Sequence, residues 1–300
     1  MADHRVDLVS EIVNNFLFIT SQPNQQLDEY VLTALSICAA SPTTRIHDES
    51  PYYNPLTTGS VAELHIRPML SCIGDIDIMV HESTLLAIPA GTVPPTQLPG
   101  EFHSHVRVCE ITDSEFPGYV YLVKSHLLTE CTDDGKYNAV QCPRVYTSYS
   151  KERDAAAAAA ATRVIRIHGP AFATQLASTF LSMADMVYCM RCLSWPVQAA
   201  DWTSRHREYG WPDSGTVDCV VSNGCDAVNV AHSLCRQDEW MNTHQWRLSF
   251  SRAEIILLNS WMPVQQIVYH MLRVFVKSER LTDSAPVSYT HLTLPTILRV

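Results

Sequence analysis

The stretch "TGSVAELHIRPMLSCIGDIDIMV", Thr58 to Val80, carries a Gly-Ser pair and then two aspartates flanking one isoleucine inside an apolar run. Residues two apart on a strand point to the same side, so "DIDIMVH" (Asp75 to His81) predicts a strand with Asp75 and Asp77 together on one face. Ile76 and Ile78 then lie on the other face. Gly59 and Ser60 suit a turn in which backbone N–H groups and a hydroxyl approach an anion closely. Convergent carboxylates suit a hard divalent ion, Mg²⁺ or Mn²⁺, of the kind that aligns phosphates in phosphoryl or nucleotidyl transfer. The competing explanation is a solvent-facing strand whose outward positions happen to be acidic. Glu63 falls between the turn and the strand and is read as a loop residue.

Outward from this stretch, 300 residues with 46% hydrophobic and 17% charged content are enough for one large globular domain or two lobes. No apolar run approaches the roughly 18 residues of a membrane span, and the first residues lack the apolar segment of a secretory signal. The expectation is a protein without a membrane partner, located in the cytoplasm or the nucleus. Ten scattered cysteines read as reduced and mostly buried thiols, without disulfides. The net charge of −10 is uneven: residues 1–150 hold 18 acidic and 7 basic side chains. That balance gives no general pull on nucleic acid, and the basic stretches around Arg205 and Arg207, and around Arg273, Lys277 and Arg280, read as solvated helix faces.

Apolar spacing of three and four predicts helices over residues 6–20 and 27–39. Ser41 to Ser60, rich in Pro, Ser, Thr and Asn, reads as a connecting loop. "TLLAIPA" and "GYVYLVKS" read as further strands, and "MADMVYCMRCLSWP" has strand character around Met186 to Cys189 before a Trp-Pro break. "KERDAAAAAAAT" implies no chemistry. Beyond Pro196 helical patterns prevail, above all "SRAEIILLNSW", which a serine can cap, and "VQQIVYHMLRVFVKSE".

A Gly-Ser turn followed by an apolar-acidic-apolar-acidic strand is the pattern of the polymerase-β-like nucleotidyltransferase fold. "HGPAFA", "DMVYCMRCLSWPVQAADWTSRHREYGWP", "VVSNGCDAV" and "WRLSFSRAEIILLNSW" resemble the Mab-21 domain family, which includes cyclic GMP-AMP synthase and its invertebrate receptor-like relatives. The resemblance spans about residues 5–285. It implies an α+β fold: a nucleotidyltransferase lobe over 1–195, a twisted mixed sheet with helices, and a helical C-terminal lobe over 196–285. Residues 286–300, "PVSYTHLTLPTILRV", resemble a translated linker, so the expectation is a foreign tail on a truncated, incomplete lobe.

The resemblance also implies roles. Gly59 and Ser60 hold a nucleotide triphosphate; Asp75 and Asp77, with Asp185 of "ADMVYC", hold the metal and are catalytic; Arg247, Ser249, Ser251 and Glu254 contact nucleotide. The apolar residues Trp246, Leu248 and Phe250 of the same string read as core. The implied activity is synthesis of a cyclic dinucleotide from ATP and GTP in innate immune sensing, triggered by double-stranded RNA or DNA or by another ligand. The alternative is an inactive Mab-21 domain serving as a nucleotide-binding or protein-binding scaffold. No structural zinc is expected: the zinc-binding insertion of the synthase has no counterpart after "SFS". Cys189 with Cys192 forms one CxxC without a second pair, and His103, His105 and Cys109 lack a fourth ligand.

Overall fold

In a computed structural model the described residues are 53–59, 62, 76–148, 165–168, 171–174, 184–236, 238–262, 264–266 and 268–269. The expected N-terminal helices, the alanine run, Ser60, Asp75, most of the second C-terminal helix and the tail lie outside them.

The acidic strand is longer than predicted. β1 (Tyr53–Thr58) pairs antiparallel with the first half of β2 (Ile76–Pro89), which runs through "DIMVH" and "TLLAIP" without a break. β1 falls inside the stretch expected to be a loop. Its prolines and threonines read as connection, but an edge position tolerates Pro55, and pairing with β2 supplies the order that local composition does not. β3 (His105–Asp113) lies parallel to the second half of β2, followed by β4 (Tyr119–Glu130) and β5 (Tyr137–Tyr146) in an antiparallel meander. β6 (Ile165–His168) and β7 (Ala171–Thr174) form a hairpin against β8 (Ala184–Cys192).

The sheet continues past Pro196. A 3₁₀ stretch over Val197–Ser204 leads to α1 (Ser214–Asn223). Asp213 caps α1 by accepting from the Thr216 N–H at 3.0 Å and from its hydroxyl at 2.8 Å. Gly224, at φ +64°, then turns the chain into β9 (Cys225–Val228); a Cβ there would meet the Cys192 carbonyl at 2.2 Å, so glycine is what lets β9 lie against β8. A single helical turn, α2 (Met241–His244), precedes β10 (Gln245–Ser249), and α3 (Ser251–Asn259) follows. Thus two segments of the region expected to be helical are strands of the same sheet. Four- and five-residue buried strands carry too little alternation to stand out from a helical pattern.

β2 pairs with β1 and β3 along one edge and with β8 along the other, so β2, β3, β4, β10, β9 and β8 form a closed circuit of strands. One face, with Met190, Cys192, Cys225, Ala227, Trp246 and Leu248, packs against Val220 of α1 and against Ala253 and Leu257 of α3. Burial of this layer stabilises the fold by roughly 25 cal/mol per Å² of apolar area removed from water. The opposite face carries Asp77 and Asp185.

Candidate functional site

β2 and β8 are parallel, and in their register Asp77 is the direct partner of Asp185. Paired positions on adjacent strands share a face. Two carboxylates, 108 positions apart in sequence, are therefore neighbours on one side of the sheet, with Met79 beside Val187 and His81 beside Cys189 below them. The pairing that produces this is dictated by apolar strand content: Ile78, Met79 and Val80 are all buried.

Gly59 stands against the same aspartate. It has φ +65°, and a Cβ placed on it would lie 2.2 Å from Asp77 Oδ2. Only a residue without a side chain allows the turn after β1 to sit on the carboxylate, and the left-handed backbone independently favours glycine. Thr58, the register partner of Asp77, donates its hydroxyl to the Asp77 carbonyl at 3.3 Å. The Gly-Ser turn and the acidic strand are thus one structural unit.

β10 sorts its residues as its alternation predicts: Trp246, Leu248 and Phe250 are buried, and the Trp246 indole N–H donates to the Thr147 carbonyl at 3.3 Å. Arg247 and Ser249 take the other face. Ser249 Oγ lies 3.6 Å from Met79 Sδ and 3.1 Å from Ser251 Oγ. β10 and β2 are not neighbours in the sheet, so this contact is made across the concave face and brings the two hydroxyls toward the Asp77 strand. The serine expected to cap α3 does not: Phe250 is at the cap position, with no side-chain cap hydrogen bond. Burial pushes the Glu254 carboxyl up, against the pull of Arg247 nearby. Arg247 is exposed and neighbours Glu254.

Beneath the carboxylates lies a charged cluster that the sequence pattern did not single out. Asp226 of β9, fully buried, pairs with Arg252 of α3 at 2.8 Å. Burial raises the Asp226 carboxyl while Arg252 and Arg191 hold it down. Arg191 donates to the carbonyls of Cys192 (2.7 Å), Cys225 (2.9 Å) and Asn223 (2.5 Å), tying the β8 end to the α1–β9 turn. His81 is 3% exposed with its Nε2 3.7 Å from Glu101. Burial, then the charges of Arg252 and Arg191, lower its pKa to about 4, so the ring is neutral at physiological pH. The signal was present in "CDAV", a charge inside a buried strand like "DIDIM"; a single acid without a partner at i+2 is a weak cue.

Of the described cysteines Cys109, Cys189, Cys192 and Cys225 are buried, Cys131, Cys142 and Cys235 are half-buried and Cys219 is exposed, so the thiols are less buried than expected. Cys189 and Cys192 are three positions apart on a strand and so lie on opposite faces, Cys189 with Met79 and Val228, and Cys192 with Met190 and Trp246. Cys109 is also in the core, while the rings of His103 and His105 are 6.0 Å apart near the surface. The described cysteines are free thiols. Among the described residues, no group of three or more His, Cys, Asp or Glu side chains is placed to hold a metal. Asp77 and Asp185 present carboxylate oxygens, the donor type a hard divalent ion takes; Asp75 lies outside the described residues.

A family model, the Mab-21 protein nucleotidyltransferase domain, matches residues 110–260. The chain belongs to this family. No curated protein matches it. The Mab-21 match contains Asp185, Asp226 and the whole 247–254 string, whereas Gly59 and Asp77 precede it. Those two are joined to the matched part by the β2–β8 pairing. The family assignment carries with it a polymerase-β-like fold, to which the mixed sheet conforms, and a nucleotidyltransferase type of activity.

Proposed function

We propose that this Mab-21 domain is a metal-dependent cyclic dinucleotide synthase using ATP and GTP, acting in innate immune sensing with duplex RNA or DNA or another ligand as its trigger. The observation that carries the proposal is the direct pairing of Asp77 with Asp185, with Gly59 seated on the Asp77 carboxylate. Two carboxylates on one face supply the oxygen donors that a hard divalent cation takes, and the left-handed glycine turn lies directly beside them.

In this reading Asp75, Asp77 and Asp185 hold Mg²⁺ or Mn²⁺. When bound, the ion neutralises phosphate charge and favours ionisation of the attacking hydroxyl. Gly59 and Ser60 cradle the triphosphate, and Arg247, Ser249, Ser251 and Glu254 orient the nucleotides. A ribose hydroxyl oxygen forms a bond to the α-phosphorus, the bridging oxygen to the β-phosphorus departs with pyrophosphate, and the hydroxyl proton passes to solvent. A second transfer closes the ring. The test is incubation of the chain with ATP, GTP and Mg²⁺ or Mn²⁺, with and without duplex RNA or DNA, and mass analysis of products. A cyclic dinucleotide that Asp77→Asn and Asp185→Asn both abolish supports the assignment; a product that survives both sinks it. Thermal stabilisation by GTP and Mg²⁺ without turnover would instead favour a nucleotide-binding scaffold.

A further inference from the structure

Two arginines meet the buried Asp226, and they are used differently. Arg191 spends its terminal nitrogens on three backbone carbonyls, which makes it a strut. Arg252 contributes only Nε to Asp226 Oδ2, and among the described residues this is the one hydrogen bond its guanidinium makes. Its side chain is 17% exposed.

A bridge serving stability alone would engage both carboxylate oxygens through a bidentate fork, because a buried ion pair offsets its desolvation only when the remaining polar atoms are satisfied. Here Asp226 Oδ1 is buried without a partner. The pair thus anchors the root of the guanidinium and leaves the terminal nitrogens uncommitted. Their place in the fold is specific. Arg252 follows Ser251, whose hydroxyl meets Ser249, which in turn touches Met79, two positions from Asp77 on the same strand face.

We infer that Arg252 is a further phosphate-binding residue of this site, its free guanidinium edge taking polyphosphate oxygens of the nucleotide, with Asp226 as the positioning residue that aims it. The inference rests on the proposed nucleotide site. A planar fork is suited to this task because two parallel N–H donors match two phosphate oxygens.

The experiment is titration of inorganic tripolyphosphate in EDTA, followed by calorimetry, so that neither metal nor turnover enters. Wild type is expected to bind. Arg252→Lys, which keeps a cation beside Asp226 but loses the fork, is expected to bind about tenfold more weakly. The double variant Asp226→Asn with Arg252→Gln removes both charges at once and avoids stranding either one in the interior; it should lose binding with a native-like circular dichroism spectrum. A protein without synthase activity that still shows the Arg252 effect on tripolyphosphate separates failure of the catalytic reading from failure of this one. In an active enzyme, Asp226→Asn should raise KM for the triphosphate with kcat little changed; a fall in kcat alone would remove its positioning role. Absence of tripolyphosphate binding by wild type, or affinity within twofold of wild type in Arg252→Lys, overturns the inference, and the lysine variant decides the matter if the double variant fails to fold.

Discussion

Asp77 of β2 and Asp185 of β8 are direct register partners in parallel strands, so two like charges stand side by side on one face. Asp185→Asn is expected to remove stabilisation of the protein by Mg²⁺. Losing one ligand of a catalytic ion forfeits several kcal/mol of transition-state stabilisation, about 10²-fold or more in rate. Thermal melts with and without Mg²⁺, alongside product assays, check both. An Asp185→Asn protein that Mg²⁺ still stabilises as it does wild type would remove Asp185 from the metal site.

Gly59 and Gly91 share a left-handed backbone, at φ +65° and +75°, but differ in what surrounds them. A Cβ on Gly59 would strike Asp77 Oδ2, and one on Gly91 meets nothing within 4 Å. Gly91→Ala should cost about 1 kcal/mol from backbone strain alone and leave nucleotide turnover untouched. Gly59→Ala carries the same strain and must also move the carboxylate. Activity is expected to fall at least tenfold more than in Gly91→Ala at a similar melting temperature. Equal activity in the two variants would separate the turn from the site.

The fold and the site were legible in the sequence to different depths. Asp77 was visible because an i, i+2 acidic pair breaks an apolar strand, and the 246–250 alternation is kept by β10, with its apolar residues buried and Ser249 on the opposite face. The partnership of Asp77 with Asp185 was not, since strand pairing is a tertiary event with no local signature. β1 was hidden by its proline and threonines, and β9 and β10 by their shortness. Asp226, Arg191 and Arg252 went unassigned for a related reason: each charge is ordinary where it occurs in the chain, and only the closed circuit of strands buries them together.

His81 makes acid stability a direct readout of that cluster. Its ordinary pKa of 6.5 falls to about 4 in the folded chain, through burial and the charges of Arg252 and Arg191. Between those values the unfolded chain takes up a proton that the folded chain refuses, so stability declines as pH falls from about 6.5 toward 4. The full effect is roughly 3 kcal/mol for a shift of this size. Asp226 acts with the opposite sign, because its raised carboxyl gains a proton more readily in the folded chain. The difference between wild type and His81→Gln isolates the histidine. Urea midpoints at pH 7 and pH 4.5 should drop steeply in wild type and less in the variant; parallel drops would place the acid sensitivity elsewhere.

Leu257 tests whether the serines reaching the Asp77 strand depend on the helix that follows them. It is fully buried on α3 among Val220 of α1 and the Trp246 and Leu248 side of β10, and the same helix begins at Ser251. Leu257→Ala removes buried methyl groups where helix and sheet are closely packed, at a cost of about 2–5 kcal/mol. The Ser249–Ser251 pair is anchored separately, through Met79 on one side and through Arg252 and Asp226 on the other. Urea unfolding should therefore show a lower midpoint with an unchanged m-value. Below the transition, KM for the triphosphate should stay within about twofold of wild type. A large rise in KM in the folded variant would mean that α3 packing, and not the Asp226–Arg252 anchor, holds these groups in place.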